Sequence, residues 1–197
     1  MIPTVTTAKN LWDTYDLPEV KRHHSMWVAR LAVWFARKIM FKRPSVRVNM
    51  ALLEAAALLH DIDKVVPRLS GERHPDTAVR ILRERGMQEV ANLVRTHPLH
   101  AILDQNLSPK TWEEKILYLS DKMVKHGIIT VDKRFALWRA ERLPEAAVAE
   151  LDAAYPLVKA LENQLCSIAG VLPTEVGKLA TRGETSTMKS DSTRRNV

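Results

Sequence analysis

The chain has 197 residues, 46% hydrophobic and 27% charged, which fits one globular domain with a substantial core and excludes disordered and fibrous classes. Lys and Arg number 30 against 23 Asp and Glu, a formal charge of +7, and the single cysteine, Cys166, excludes an internal disulfide and multi-cysteine zinc sites. Seven histidines are the plentiful nitrogen ligands, and only six glycines beside abundant Ala and Leu lean the chain toward helix. Met1–Asn10 contains no apolar stretch of signal-peptide length, and no apolar run approaches the roughly 18 residues of a membrane span. Without disulfides, a reducing cytoplasm is the expected compartment.

The periodicity predicts helices almost throughout. Pro18-Glu19 opens a long helix that Pro44 closes, with Val28, Leu31 and Phe35 in i, i+3, i+7 relation. Asn49 caps Met50–His60, an Ala/Leu-rich segment apolar on most faces and therefore central. Asp63–Arg73, with Pro67, Ser70 and Gly71, reads as a loop. Pro75 suits the first turn of a helix that Gly86 ends, and Gln88–Thr96 forms the next. Leu103–Pro109 reads as a polar loop. Thr111-Trp112-Glu113-Glu114 has capping-box spacing and starts a helix predicted to run to about His126. Two more helices follow, Thr130–Arg142 and Pro144–Ala169, the second interrupted near Pro156. From Lys178 onward almost no apolar residue occurs, so an all-α domain over 1–177 precedes an expected disordered basic tail over 178–197.

His24 sits on the apolar face of the first long helix, His60-Asp61 ends the Ala/Leu helix, His97 ends another, and Asp121 lies on an apolar stripe. A histidine on an apolar helix face is more often a core or capping residue than a ligand. A buried carboxylate, however, costs several kcal/mol without a partner, and a bound cation would meet that need at all these places together. His23, His100 and His126 read as surface residues, and Cys166 as inert core.

Ala57-Leu58-Leu59-His60-Asp61-Ile62-Asp63-Lys64 resembles the signature of the HD superfamily of metal-dependent phosphohydrolases, close to its HDIG variant, with Asp63 where glycine is usual. His24-Ser25-Met26-Trp27-Val28-Ala29 resembles the family's upstream histidine helix. His74 and His97 resemble the extra histidines of its binuclear members, and Ile116–Lys122 its closing aspartate motif. The resemblance spans about 21–142 and implies an all-α HD-domain bundle with additional C-terminal helices. It implies that His24, His60, Asp61 and Asp121 bind one divalent ion and that His74 and His97 bind a second, bridged by Asp61. Iron, manganese, cobalt, magnesium or zinc would suit two imidazoles and two carboxylates with open positions.

The implied activity is hydrolysis of a phosphate ester or anhydride of a nucleotide-like small molecule by metal-activated water, with Asp61 and Lys64 as catalytic residues. The closest subgroup by resemblance is the HD-type symmetrical bis(5′-nucleosyl)-tetraphosphatases, although both His74 and His97 precede proline here. Lys64, Arg68 and Arg134 are the candidate phosphate-binding cations; a solvated lysine at 64 and an interhelix salt bridge at Arg134 are the equally weighted alternatives. No acid occurs between Glu19 and Glu54, whereas Lys21, Arg22, Arg30, Arg37, Lys38, Lys42, Arg43 and Arg47 do, mostly as a solvated face. The tail holds five bases and two acids, so +3 of the +7 belongs to it. The remaining charge disfavours nucleic acid as partner without excluding it. An HD-fold module that binds a nucleotide or RNA without turnover is the alternative reading.

Overall fold

The computed structural model describes residues 1–178, so the expected disordered tail falls outside the described residues apart from Lys178. Eight α-helices are present among them: α1 (Val5–Thr14), α2 (Glu19–Lys42), α3 (Met50–Leu59), α4 (Asp76–Glu84), α5 (Gln88–Arg95), α6 (Trp112–Lys122), α7 (Val131–Arg139) and α8 (Glu145–Ala169). Short 3-10 turns cover Leu99–Leu103 and Pro173–Glu175, and the β-structure described is one isolated bridge, Val124 with Ile128. The chain is all-α. No helix is long and apolar enough to cross a membrane among the described residues.

Local chemistry explains the boundaries. Asn49 Oδ1 accepts from the Leu52 amide at 3.1 Å, and Thr111 and Glu114 form the reciprocal capping box before α6. Along α2, Val28, Leu31, Ala32, Phe35 and Ile39 are fully buried, while Arg37, Lys38, Lys42 and Arg43 on its C-terminal half are exposed. Helix α3 is buried at Leu53 and throughout Ala55–Leu59. It packs against α1, α2, α5 and α6, while α2 also contacts α6 and α8, so these helices form the centre of the bundle. Each fully buried Leu, Ile, Val or Phe there contributes about 1.5–3 kcal/mol.

Three elements depart from the sequence expectation. Helix α1 was not foreseen, because its apolar residues are sparse. Ala8, Leu11 and Trp12 nevertheless face the core, and Trp12 Nε1 donates to the Leu58 carbonyl at 2.9 Å. Helix α6 stops at Lys122 rather than His126. The Ile129 amide reaches back to the Met123 carbonyl, closing a turn around Gly127 that consumes the last predicted helical turn. Helix α8 runs through Pro156 without interruption. Leu151, Ala154, Val158, Leu161 and Leu165 stay buried on both sides of the proline, and their packing outweighs the missing backbone donor.

Candidate metal centre

Helix ends deliver most of the predicted ligands to one place. His60 follows the last residue of α3, where Ala55–Leu59 are buried and leave that end no freedom to shift; Asp61 follows in the turn. His74 lies just ahead of α4, His97 just beyond α5, and Asp121 one residue from the end of α6. His24 reaches the same place from the buried face of α2.

The distances form two joined groups. His24 Nε2 is 2.9 Å and His60 Nε2 3.5 Å from Asp121 Oδ1. Asp61 Oδ1 lies 3.7 Å from His60 Nε2, 3.7 Å from His74 Nε2 and 4.0 Å from His97 Nε2. His74 and His97 bring their Nε2 atoms within 3.0 Å of each other. The triplets His24–His60–Asp121 and His60–Asp61–His97 each offer ligand atoms mutually within 4.8 Å and could hold a metal ion. His60 belongs to both triplets, and Asp61 faces His74 and His97.

Hydrogen bonds fix which nitrogen faces inward. His60 Nδ1 donates to the Ala57 carbonyl at 2.8 Å, and His97 Nδ1 donates to the Val94 carbonyl at 2.6 Å. Carbonyl oxygens only accept, so in the neutral rings the lone pair is on Nε2, pointing into the cluster. His74 Nδ1 is held 3.0 Å from both oxygens of Asp63, which aims its Nε2 the same way. His60 Nε2 is buried and has no hydrogen-bond partner. An orphaned buried imidazole nitrogen, with two others 3.0 Å apart, makes a site that a bound cation would satisfy. Nitrogens bound at about 2.1 Å and a right angle would stand about 3 Å apart, so the donor set fits a divalent ion.

The electrostatics agree. Burial opposes a charge on His60, yet Asp61 and Asp121 hold its ring above the usual histidine range. Burial pushes His97 well below that range, with His60 and His74 adding to the effect. Asp61 and Asp121 remain well below the usual carboxylate range despite burial, the first through His60 and Lys64, the second through Lys122, its hydrogen bond with His24 and the nearby His60 ring.

A cavity of about 180 Å³ opens onto the cluster, lined by His24, Asp61, His74, His97 and Asp121 together with Lys21, Lys64, Lys122, Arg134 and Trp138 among others. Lys64 lines it and pairs with Asp61 at 3.1 Å while remaining exposed. Arg134 lines it without an ion pair to any described residue, so the interhelix salt bridge weighed as its alternative is not what it makes. Arg68 is exposed and does not line this cavity.

Three residues with clear places here escaped the sequence reading as site residues. Lys21 bonds Asp61 at 3.2 Å, and fully buried Lys122 bonds both Asp121 and the His97 carbonyl. Their signals were a lysine three residues before His24 and one beside Asp121. Asp63, marked in the sequence only as standing where glycine is usual, is buried and orients His74.

Comparison with curated proteins returned no match, and none was found among solved structures. A family model described as HD domain matches residues 22–126, just over half the chain, and that span contains all six predicted ligands. The ordered His/Asp cluster and this match lead to one conclusion: the chain belongs to the HD domain family, whose members are typically metal-dependent hydrolases.

Proposed function

We propose that the protein is a metal-dependent phosphohydrolase that cleaves an ester or anhydride bond of a nucleotide-like phosphate. The observation that carries this reading is the convergence of three imidazole Nε2 atoms on Asp61 Oδ1 at 3.7–4.0 Å, with His24 and Asp121 completing the cluster. In this reading His24, His60, Asp61 and Asp121 hold one divalent ion, and His74 and His97 a second that shares Asp61. Iron, manganese, cobalt, magnesium and zinc are the candidates. When bound, such ions supply water activation and polarise phosphoryl oxygens.

The protein's own residues supply the rest. Lys64 and Lys21, both against Asp61, offer ammonium groups to phosphate oxygens at the cavity mouth. Buried Lys122 anchors Asp121 and the backbone at His97, fixing two parts of the cluster at once. Arg68, outside the cavity, is better assigned to solvent than to phosphate.

The test is elemental analysis of protein purified without chelator, followed by phosphate release from a panel that includes mononucleotides and a symmetrical dinucleoside tetraphosphate. Two ions per chain and turnover of at least one substrate are expected. One ion would demote His74 and His97. Unchanged hydrolysis by His60→Ala and Asp61→Ala would overturn the site assignment, and nucleotide or RNA binding without turnover by the metal-loaded protein would replace the enzyme by a binding module.

A further inference from the structure

The wall of the cavity facing the histidines is built differently from the rest. The lysines that line it are matched to carboxylates: Lys21 and Lys64 to Asp61, and Lys122 to Asp121. Arg134 is not. Its Nε and Nη1 are buried and have no hydrogen-bond partner, and no described carboxylate lies within ion-pair distance. Other arginines of the molecule show what a structural arginine does here. Arg139 on the same helix pairs with Asp152 at 2.9 Å, and Arg80 pairs with Glu72 and Glu84.

A guanidinium with buried, unsatisfied donors is costly unless a ligand completes it. Burial already presses against its charge, with Asp121, Glu141 and Asp61 acting in its favour only at longer range. What holds it in place is aromatic. Its Cζ lies 4.3 Å from the Trp138 ring centroid, and Trp138 packs edge-on against buried Phe135 at 5.1 Å. Stacking leaves the in-plane N–H groups of a guanidinium free to form a fork, the geometry that matches two oxygens of a phosphate. At about 180 Å³ the cavity is smaller than the roughly 300 Å³ at which ordinary small-molecule sites begin, which suits a phosphoryl group rather than a whole nucleotide.

We propose that Arg134, positioned by Trp138, is the phosphoryl-gripping residue of this pocket, and that the pocket admits the phosphate end of its substrate while the organic remainder stays outside. This rests on the phosphohydrolase reading for the reaction but not for the binding. Arg134 touches the phosphate; Trp138 is a positioning residue that acts through it.

The test uses the full chain loaded with the metal found by elemental analysis, and inorganic phosphate as the probe in calorimetric titration. Arg134→Ala should weaken phosphate binding by roughly tenfold or more, and Arg134→Lys less, with metal content unchanged. Trp138→Ala should follow Arg134→Ala in direction, and Trp138→Phe, which keeps a ring, should restore most of the affinity. With a hydrolysed substrate the loss should appear mainly in KM. Wild-type phosphate affinity in Arg134→Ala would overturn the proposal, as would loss of metal in a variant whose circular dichroism and melting are unchanged. Hydrolysis that is indifferent to Arg134 removes this proposal alone. Arg134-dependent phosphate binding without turnover of any substrate removes the enzymatic reading and leaves this one standing.

Discussion

The two walls of the cavity solve different physical problems. The wall from α2 to α6 concentrates four imidazoles and two carboxylates and balances every carboxylate with a lysine or a ring nitrogen. The wall from α7 carries one cation, Arg134, balanced by nothing but an indole. The first wall gathers donors that could hold a cation; the second carries the donors proposed to take an anion from outside. In the proposed reading the metal-holding residues all lie on the first wall, while phosphate contacts are divided between its Lys21 and Lys64 and Arg134 on the second, so the Arg134 contact can be broken without breaking the metal site.

The harshest break falls on the first wall. Asp61→Asn removes the carboxylate proposed to be shared by both ions, and metal content measured by elemental analysis should drop to near zero, with hydrolysis lost alongside. The second wall has its own keystone in Glu162, which is fully buried, accepts the Val131 amide at 3.0 Å and pairs with Lys159. Glu162→Ala strands a buried amide at the start of α7 and should cost about 3 kcal/mol in denaturant unfolding. If the walls are separable, the folded fraction of that variant keeps its full metal content.

Asp63→Asn sharpens the division within the first wall. It leaves His74 in place but weakens the carboxylate that orients its ring, so metal affinity should fall about 10–100-fold. Titration calorimetry should show the loss in the His74–His97 ion, while the ion on His24 and Asp121 binds as before. The last effect is confined to alkaline pH. Burial, reinforced by Glu162, pushes the Cys166 thiol up to about 12 from an ordinary value near 9. The folded chain therefore keeps its proton where the unfolded chain would lose it. That contribution is complete below about pH 9 and declines toward pH 12, by at most about 1.4 kcal/mol per pH unit. Cys166→Ala should flatten the stability curve in that window, and the native thiol should react slowly with thiol reagents at pH 8.

Much of the first wall was legible because its residues follow the punctuation of helices. A His-Asp pair after an Ala/Leu run, a histidine before a helix-starting proline and an aspartate on an apolar stripe are local signals. The family match over 22–126 covers the same span. Asp63 was not legible in its real role, since it depends on the loop over 63–73 folding back to bring His74 within 3.0 Å. Arg134 was visible as a cation near Asp121, but its sequence could not separate a salt bridge from a ligand contact. That choice depended on which carboxylates α8 brings near, and Asp152 goes to Arg139 instead. The same limit explains α1 and the unbroken α8: tertiary packing overrode sparse apolar residues in one and a proline in the other.

The bond from Trp12 to the Leu58 carbonyl sets how small this protein can become. Ala57 and Leu58 present neighbouring carbonyls at the end of α3. One is taken by the His60 ring and the other by a side chain 46 residues upstream. A fragment trimmed to the matched 22–126 span would retain every predicted ligand yet leave the Leu58 carbonyl bare, and would uncover the core face where Ala8, Leu11 and Trp12 sit. The ligand-bearing stretch is thus not a portable module. Its precision is borrowed from chain on either side of it, and transplanting it would require carrying the N-terminal helix along.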